Sequence, residues 1–166
     1  MTTLDIWRGD IVDAPAEAIV NAANDRLAAG SGVCGAIFKA AGHDALQASC
    51  RAIGGCKVGQ AVITPSHDLE VKGIKKIIHA VGPRWRDHEP AVADQLLEGA
   101  YSMSLSLAEE HGLRSIAFPP ISTGIFSLPK DRGADITVRV ARAHSGSIEK
   151  ILLVGFDTKD VAILQA

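Results

Sequence analysis

The sequence predicts an α/β fold, a three-layer α/β/α sandwich around a mixed, mostly parallel sheet of about six strands. Two observations carry this expectation. Short apolar runs of strand length alternate along the chain with longer stretches of helical spacing. The run Ile151-Leu152-Leu153-Val154 is apolar without interruption, as in strands covered on both faces of a parallel sheet. No internal repeat, low-complexity tract or Pro/Ser-rich linker interrupts the alternation, so residues 1–166 are read as one domain.

The elements follow in order. Leu4 to Arg8 alternates with period two and reads as an opening strand. Glu17 to Ala22 is a second strand, ending at Asn21-Ala22-Ala23-Asn24. After the loop Gly30-Ser31-Gly32, a helix is expected from Val33 through Ala41, and another from Asp44 to Ile53 that Gly54-Gly55 stops. Gln60 to Thr64 and Lys75 to Val81 read as strands, closed by Pro65 and by Gly82-Pro83. The stretch from Pro90 to Gly112 contains a strand-like alternation at Tyr101 to Leu107. Its length and the helical spacing of Val92, Leu96, Ala100, Met103 and Leu107 decide for helix. Ser115 to Phe118 is a strand ended by Pro119-Pro120, and Pro129 suits the first turn of a helix reaching His144. Ile151 to Phe156 is the last strand.

Composition narrows the function. Of the 166 residues, 47% are apolar, enough to bury a core without staples. Seventeen Lys and Arg against 19 Asp and Glu give a net charge of −2, which argues against a general nucleic-acid binder. No apolar run approaches a membrane span, and no secretion segment is recognisable. Cys34, Cys50 and Cys56 lack C-x-x-C spacing, so reduced thiols in a cytoplasmic protein are expected.

In such sheets ligands bind outside the carboxyl ends of the strands, which selects the loops after Ala22, Val81, Phe118 and Phe156. Gly30-Ser31-Gly32 precedes a helix start, where backbone N–H groups can converge on a phosphate. Ser122-Thr123-Gly124 sits between a strand and the next helix and offers hydroxyls and close backbone approach. Two such loops on one rim suit a ligand with two phosphates. The P-loop signature and a G-x-G-x-x-G after the first strand are both missing.

The sequence resembles the macrodomains, and most of all the MacroD type. The resemblance spans nearly the whole chain. It runs through Gly9-Asp10-Ile11, Ile19-Val20-Asn21-Ala22-Ala23-Asn24 and Gly30-Ser31-Gly32-Val33-Cys34-Gly35. Ile78-His79-Ala80-Val81-Gly82-Pro83 and Phe118-Pro119-Pro120-Ile121-Ser122-Thr123-Gly124-Ile125-Phe126 complete it. The resemblance implies binding of ADP-ribose, or of an ADP-ribosylated protein or small molecule, without metal or cofactor. It assigns the adenine amine to Asp10, with a backbone contact from Ile11, and places Phe156 near the adenine ring. Asn21 would tie loops together and Asn24 would face the distal ribose. Gly32, Val33, Ser122, Thr123, Gly124, Ile125 and Phe126 would wrap the diphosphate, with Phe126 also against the distal ribose. His79, in an apolar strand, reads as a satisfied core histidine, and Arg84 to His88 as a solvated loop.

One end of the pocket departs from the family. Cys34 stands where MacroD-type hydrolases carry an aspartate proposed to position water, Phe38 replaces a histidine, and Ala29 and Ser31 interrupt the glycine tract. A thiol with an ordinary pKa of about 8.5 is a poor carboxylate substitute, although a helix start can lower that value. The expected activity is hydrolysis of ADP-ribosyl esters such as O-acetyl-ADP-ribose or ADP-ribosylated Asp and Glu, slowed by that loss. Asn24 orients the sugar, and Cys34 is either catalyst or lining. The chain, read as standing without tails, favours the enzyme. The alternative is a binding module without turnover, which Cys34 favours.

Overall fold

Six strands form one sheet in the computed structural model, which describes residues 2–165. They are β1 (Thr3–Arg8), β2 (Ala18–Ala22), β3 (Ala61–Pro65), β4 (Lys76–Ala80), β5 (Ser115–Phe118) and β6 (Lys150–Gly155). Their order across the sheet is β1-β6-β5-β2-β4-β3, parallel throughout except for β3, which pairs antiparallel with β4 at one edge. The helices are α1 (Gly32–Ala41), α2 (His43–Ile53), α3 (Pro90–Glu110), α4 (Lys130–Ala143) and α5 (Thr158–Gln165). The mixed, mostly parallel sheet expected from the alternation of elements is present.

The inner strands carry no polar alternation because both faces are covered. Ile19, Ile77 and Leu152 point to one side, where they meet Ile37 of α1 and Leu46 of α2. Their chain neighbours Val20, Ile78 and Leu153 point to the other, against Leu97 and Tyr101 of α3 and Ile136 of α4. Successive residues thus enter separate cores, as a period-two strand requires. β1 lies at the other edge, and its alternating exposure fits the period-two reading.

Two details differ from the sequence reading. The stretch 101–107 is helical, but the buried stripe of α3 is Ala93, Leu97, Ala100, Tyr101, Ser104, Leu105 and Ala108. Val92 and Met103, expected on that face, are among the exposed apolar side chains. The stripe with more small residues faces inward, letting the helix lie close to the sheet. The second difference is α5, which the reading omitted. Its signal is a capping pattern: the Asp157 side chain accepts the Asp160 N–H at 2.9 Å. Among the described residues no helix is long and apolar enough to cross a membrane.

A polar tie holds the turn before β6. Glu109, in the last turn of α3, accepts from His144 Nε2 at 2.9 Å, the Ser147 N–H at 2.9 Å and the Ile148 N–H at 3.0 Å. The Ser147 hydroxyl donates to it as well. Burial acts to raise the carboxyl, but these donors outweigh it and hold its pKa down at about 2. A depressed carboxylate pKa contributes stability above the ordinary carboxylate range, and that stability is lost as pH falls through the folded value. Glu109→Gln should therefore melt a few degrees lower at neutral pH. It should also show a shallower decline in Tm than the unsubstituted protein between about pH 5 and pH 2, followed by circular dichroism.

Candidate functional site

β2, β4 and β5 run parallel, so the loops that follow them gather on one rim. There they enclose a cleft with room for about 250 Å³. One wall is the segment Gly30 to Cys34, the other is Pro120 to Ser122 with Gly124 to Phe126, and the end of β2 from Ala22 to Asn24 and Gly82 complete the lining.

The first wall is the start of α1. Gly35 brings the helix against the loop, since a Cβ there would lie 2.6 Å from the Gly30 carbonyl oxygen. Gly32 has φ +60°, a conformation that favours glycine. The Ser31 side chain makes no capping bond, so first-turn N–H groups that lack partners within the helix remain for a ligand.

The second wall is strained. Ser122 has φ 67° although it is not glycine, it is buried, and its hydroxyl has no hydrogen-bond partner among the described residues. A left-handed backbone of this kind costs on the order of 1–3 kcal/mol and collects at functional sites. Gly82 exists to accommodate it: a Cβ there would overlap Ser122 Oγ. Gly124, by contrast, has open space around it, and Ile125 is 87% exposed.

Beneath the cleft lies a buried polar chain. Asn21 Nδ2 is 3.1 Å from His79 Nδ1 and 3.7 Å from Cys34 Sγ, while His79 Nε2 is 2.9 Å from Thr64 Oγ1. Asn21 donating to Nδ1 leaves the ring proton on Nε2, aimed at the Thr64 hydroxyl. Burial pushes the His79 pKa down to about 4, so the ring is neutral. His79 is the satisfied core histidine the sequence implied. Asn21 ties β2, β4 and α1 together below the lining rather than within it.

Cys34 is buried, and burial pushes its thiol up despite the opposing contacts from Asn21 and the Gly30 backbone. The sulfur lies 3.8 Å from the Ala28 carbonyl oxygen, to which the thiol donates. Asn24 is pinned by its own loop: Nδ2 donates to the Ala28 carbonyl at 2.9 Å, and Oδ1 accepts the Ala28 N–H at 3.0 Å. One N–H and one lone pair stay free toward the cleft.

Asp10, Ile11 and Phe156 lie outside this lining, at the β1–β6 end of the rim. β1 and β6 pair Arg8 with Gly155, and the Gly9 N–H reaches the Gly155 carbonyl at 3.0 Å, so Asp10 and Phe156 both follow the carboxyl ends of these two neighbouring strands. Phe156 is 68% exposed, which removes core packing as its role. Asp10 Oδ1 accepts the Val12 N–H at 3.2 Å, so the residue is also a turn cap, and one oxygen remains available. The Ile11 side chain is buried, leaving only its backbone for a ligand. Gly32, Val33, Ser122, Gly124, Ile125 and Phe126 line the cleft as expected. Thr123 does not, since its methyl packs toward Gly133 of α4 and faces a gap of about 30 Å³. Gly82 was passed over as a site residue, although Gly-Pro directly after a strand marked that turn. Arg84 and His88, read as a solvated loop, line a second cleft that shares Asn24, Gly82 and Phe126 with the first.

Comparison with known proteins agrees with this geometry. The profile of the Macro domain family matches residues 20–137. A macro domain-containing protein of Ralstonia nicotianae is 45% identical, covering 98% of this chain and 92% of its own. A Pantoea vagans protein named O-acetyl-ADP-ribose deacetylase 1 is 43% identical, covering 96% and 95%. Among solved structures, an Oceanobacillus iheyensis macrodomain mutant bound to ADP-ribose superposes with a TM-score of 0.87 at 32% identity, covering 98% of this chain and 88% of that one. A Trypanosoma brucei macrodomain with ADP-ribose gives 0.85 at 31% identity, covering 98% and 67%. With its strand order, its two facing loops and matches of this extent, the chain belongs to the macrodomain family.

Proposed function

We propose that this chain binds ADP-ribose across the ends of its parallel strands and hydrolyses ADP-ribosyl esters, among them O-acetyl-ADP-ribose and ADP-ribosylated Asp or Glu. One observation carries the reading: unpartnered N–H groups of α1 face the strained Ser122–Phe126 loop across a single cleft. Two anion-receptive walls facing one cleft suit a diphosphate. The strand order then lays out the rest of the ligand. Adenine lies toward Asp10 and Phe156 at the β1–β6 end, and the distal ribose lies toward Asn24 and Phe126. The relative named as a deacetylase, similar over almost the full length of both chains, supports turnover over binding alone.

In the reaction, water adds to the ester and yields ADP-ribose and a carboxylic acid. Asn24, fixed through both of its amide atoms, orients the ribose hydroxyls. Cys34 is a neutral lining residue, so the proton of the attacking water passes to an oxygen of the ligand's own phosphate. A positioned general base contributes typically 10²–10⁴-fold, and its loss at Cys34 makes the enzyme slow. Residues 1–166 act as one domain in this reading, since a single sheet runs from Thr3 to Gly155. The three unpaired cysteines fit a reducing cytoplasm.

Isothermal titration should show ADP-ribose binding without added metal. Asp10→Asn keeps the cap but removes the charge, and should weaken binding by roughly 1.5–3 kcal/mol. Gly124→Glu has space in the protein itself, so it should leave the thermal melt unchanged while abolishing binding by bulk and like charge. Retained affinity in that variant would place the diphosphate elsewhere.

Turnover separates the roles open to Cys34. Assayed on O-acetyl-ADP-ribose, Cys34→Ser should keep the slow rate of the unsubstituted protein. Cys34→Asp, with a carboxylate charged at neutral pH, should raise it about tenfold or more. Collapse of the rate in Cys34→Ser would make the thiol the catalyst.

A further inference from the structure

The Asn24 amide owes its direction to Ala28. Oδ1 accepts the Ala28 N–H at 3.0 Å, and Nδ2 donates to the Ala28 carbonyl at 2.9 Å. These two groups belong to different peptide units, one linking Leu27 to Ala28 and the other linking Ala28 to Ala29. Rotation of either unit takes its group away from Asn24 and leaves that half of the amide unheld.

Backbone preference does not hold this arrangement. Leu27 is buried with φ 56°, in the left-handed region that a leucine rarely adopts. A conformation of this kind persists only where the surroundings fix it.

Gln47 of α2 supplies the fixing contacts. Its Nε2 donates to the Leu27 carbonyl at 3.1 Å, and its Oε1 accepts the Ala29 N–H at 2.9 Å. The Leu27 carbonyl and the Ala29 N–H are the opposite ends of the same two peptide units. Each unit is thus gripped at both ends, by Asn24 at one and by Gln47 at the other. The grip has a firm base, since Leu46 and Cys50 root α2 in the core.

We propose that Gln47 is a positioning residue for the distal ribose, setting the direction of the Asn24 amide through the peptide units on either side of Ala28. The inference rests on the proposed function, which brings the distal ribose to Asn24. A carboxamide suits the task because it carries a donor and an acceptor side by side, matching a carbonyl and an N–H two residues apart. The Ala28 carbonyl also accepts from the Cys34 thiol at 3.8 Å. Gln47 therefore reaches both Asn24 and Cys34 while standing outside the cleft lining.

The test compares ligands with and without that ribose. ADP, which lacks it, should bind Gln47→Leu within about twofold of the unsubstituted protein, whereas ADP-ribose should bind about fivefold more weakly. On O-acetyl-ADP-ribose, kcat should fall about tenfold. Asn24→Ala should show the same pattern, and Gln47→Leu/Asn24→Ala should bind ADP-ribose no more weakly than Asn24→Ala alone, because the first residue acts through the second. Gln47→Glu keeps the acceptor but loses the donor at neutral pH. Its rate relative to the unsubstituted protein should recover as pH falls from about 7 to about 5, where protonation restores a donor to the Leu27 carbonyl. That recovery decides the matter even where Gln47→Leu does not fold. Equal losses of ADP and ADP-ribose affinity in Gln47→Leu, additive losses in the double variant, or a Gln47→Glu rate ratio flat with pH would each overturn the role. ADP-ribose binding no tighter than ADP in the unsubstituted protein would overturn the placement of the ribose at Asn24, and the inference with it.

Discussion

β2 is buried on both faces: Ala18, Ile19 and Val20 are wholly inaccessible. A polar side chain in such a strand must find its partners within the protein, and Asn21 Nδ2 does so through His79 of β4 and Cys34 of α1, while its Oδ1 has no partner among the described residues. That contact joins two strands and a helix at the level where the sheet stops. Three residues later, beyond the last paired position, Asn24 lines the cleft with its amide held by Ala28 of its own loop. The site follows from this ending. Its floor is set by buried amide and imidazole groups, and its walls are loops leaving strands of fixed register.

The same constraint explains how much was legible in the sequence. Uninterrupted apolar runs such as Ile151 to Val154 announce parallel strands because both faces are dry, and glycines with Pro after strands mark the loops. The rotation of α3 was not legible: Val92, Leu96, Ala100, Met103 and Leu107 and the true stripe through Leu97, Tyr101 and Leu105 are both spaced for a helix. Only the fit of small residues against the sheet decides between them. α5 was missed because apolar content is sparse there, and its capping Asp157 is a weaker sign than periodicity.

The candidate site shows a similar division. Gly32 and Gly124, expected in the two loops, both line the cleft. Residues judged by side-chain chemistry needed the fold. Thr123 stands between two lining residues yet faces α4, because the left-handed turn at Ser122 redirects the chain there. Phe156 ends an apolar strand, and only the fold shows that its side chain is exposed at the carboxyl end of β6, the end where β1 delivers Asp10. Cys34 sits at a helix start, which lowers a thiol's pKa, and in a dry wall, which raises it. Here burial pushes the thiol up against the hydrogen bonds from Asn21 and the Gly30 backbone, and no residue order reveals that burial.

A neutral Cys34 changes where the charge of the site resides. With no carboxylate at the first wall, the interior of the main cleft is left with N–H groups, hydroxyls and amides, all suited to holding an anion and none to taking a proton at neutral pH. The ionised groups stand outside, around the second cleft, where Arg84 lies on the outer face of Phe126. A ligand reaching from Asp10 to Phe126 therefore crosses from one carboxylate, over a neutral cleft, to a rim of mixed charge. On the proposed function, retention of a diphosphate in that cleft would come from oriented backbone dipoles, and the absence of a carboxylate at Cys34 would set the rate.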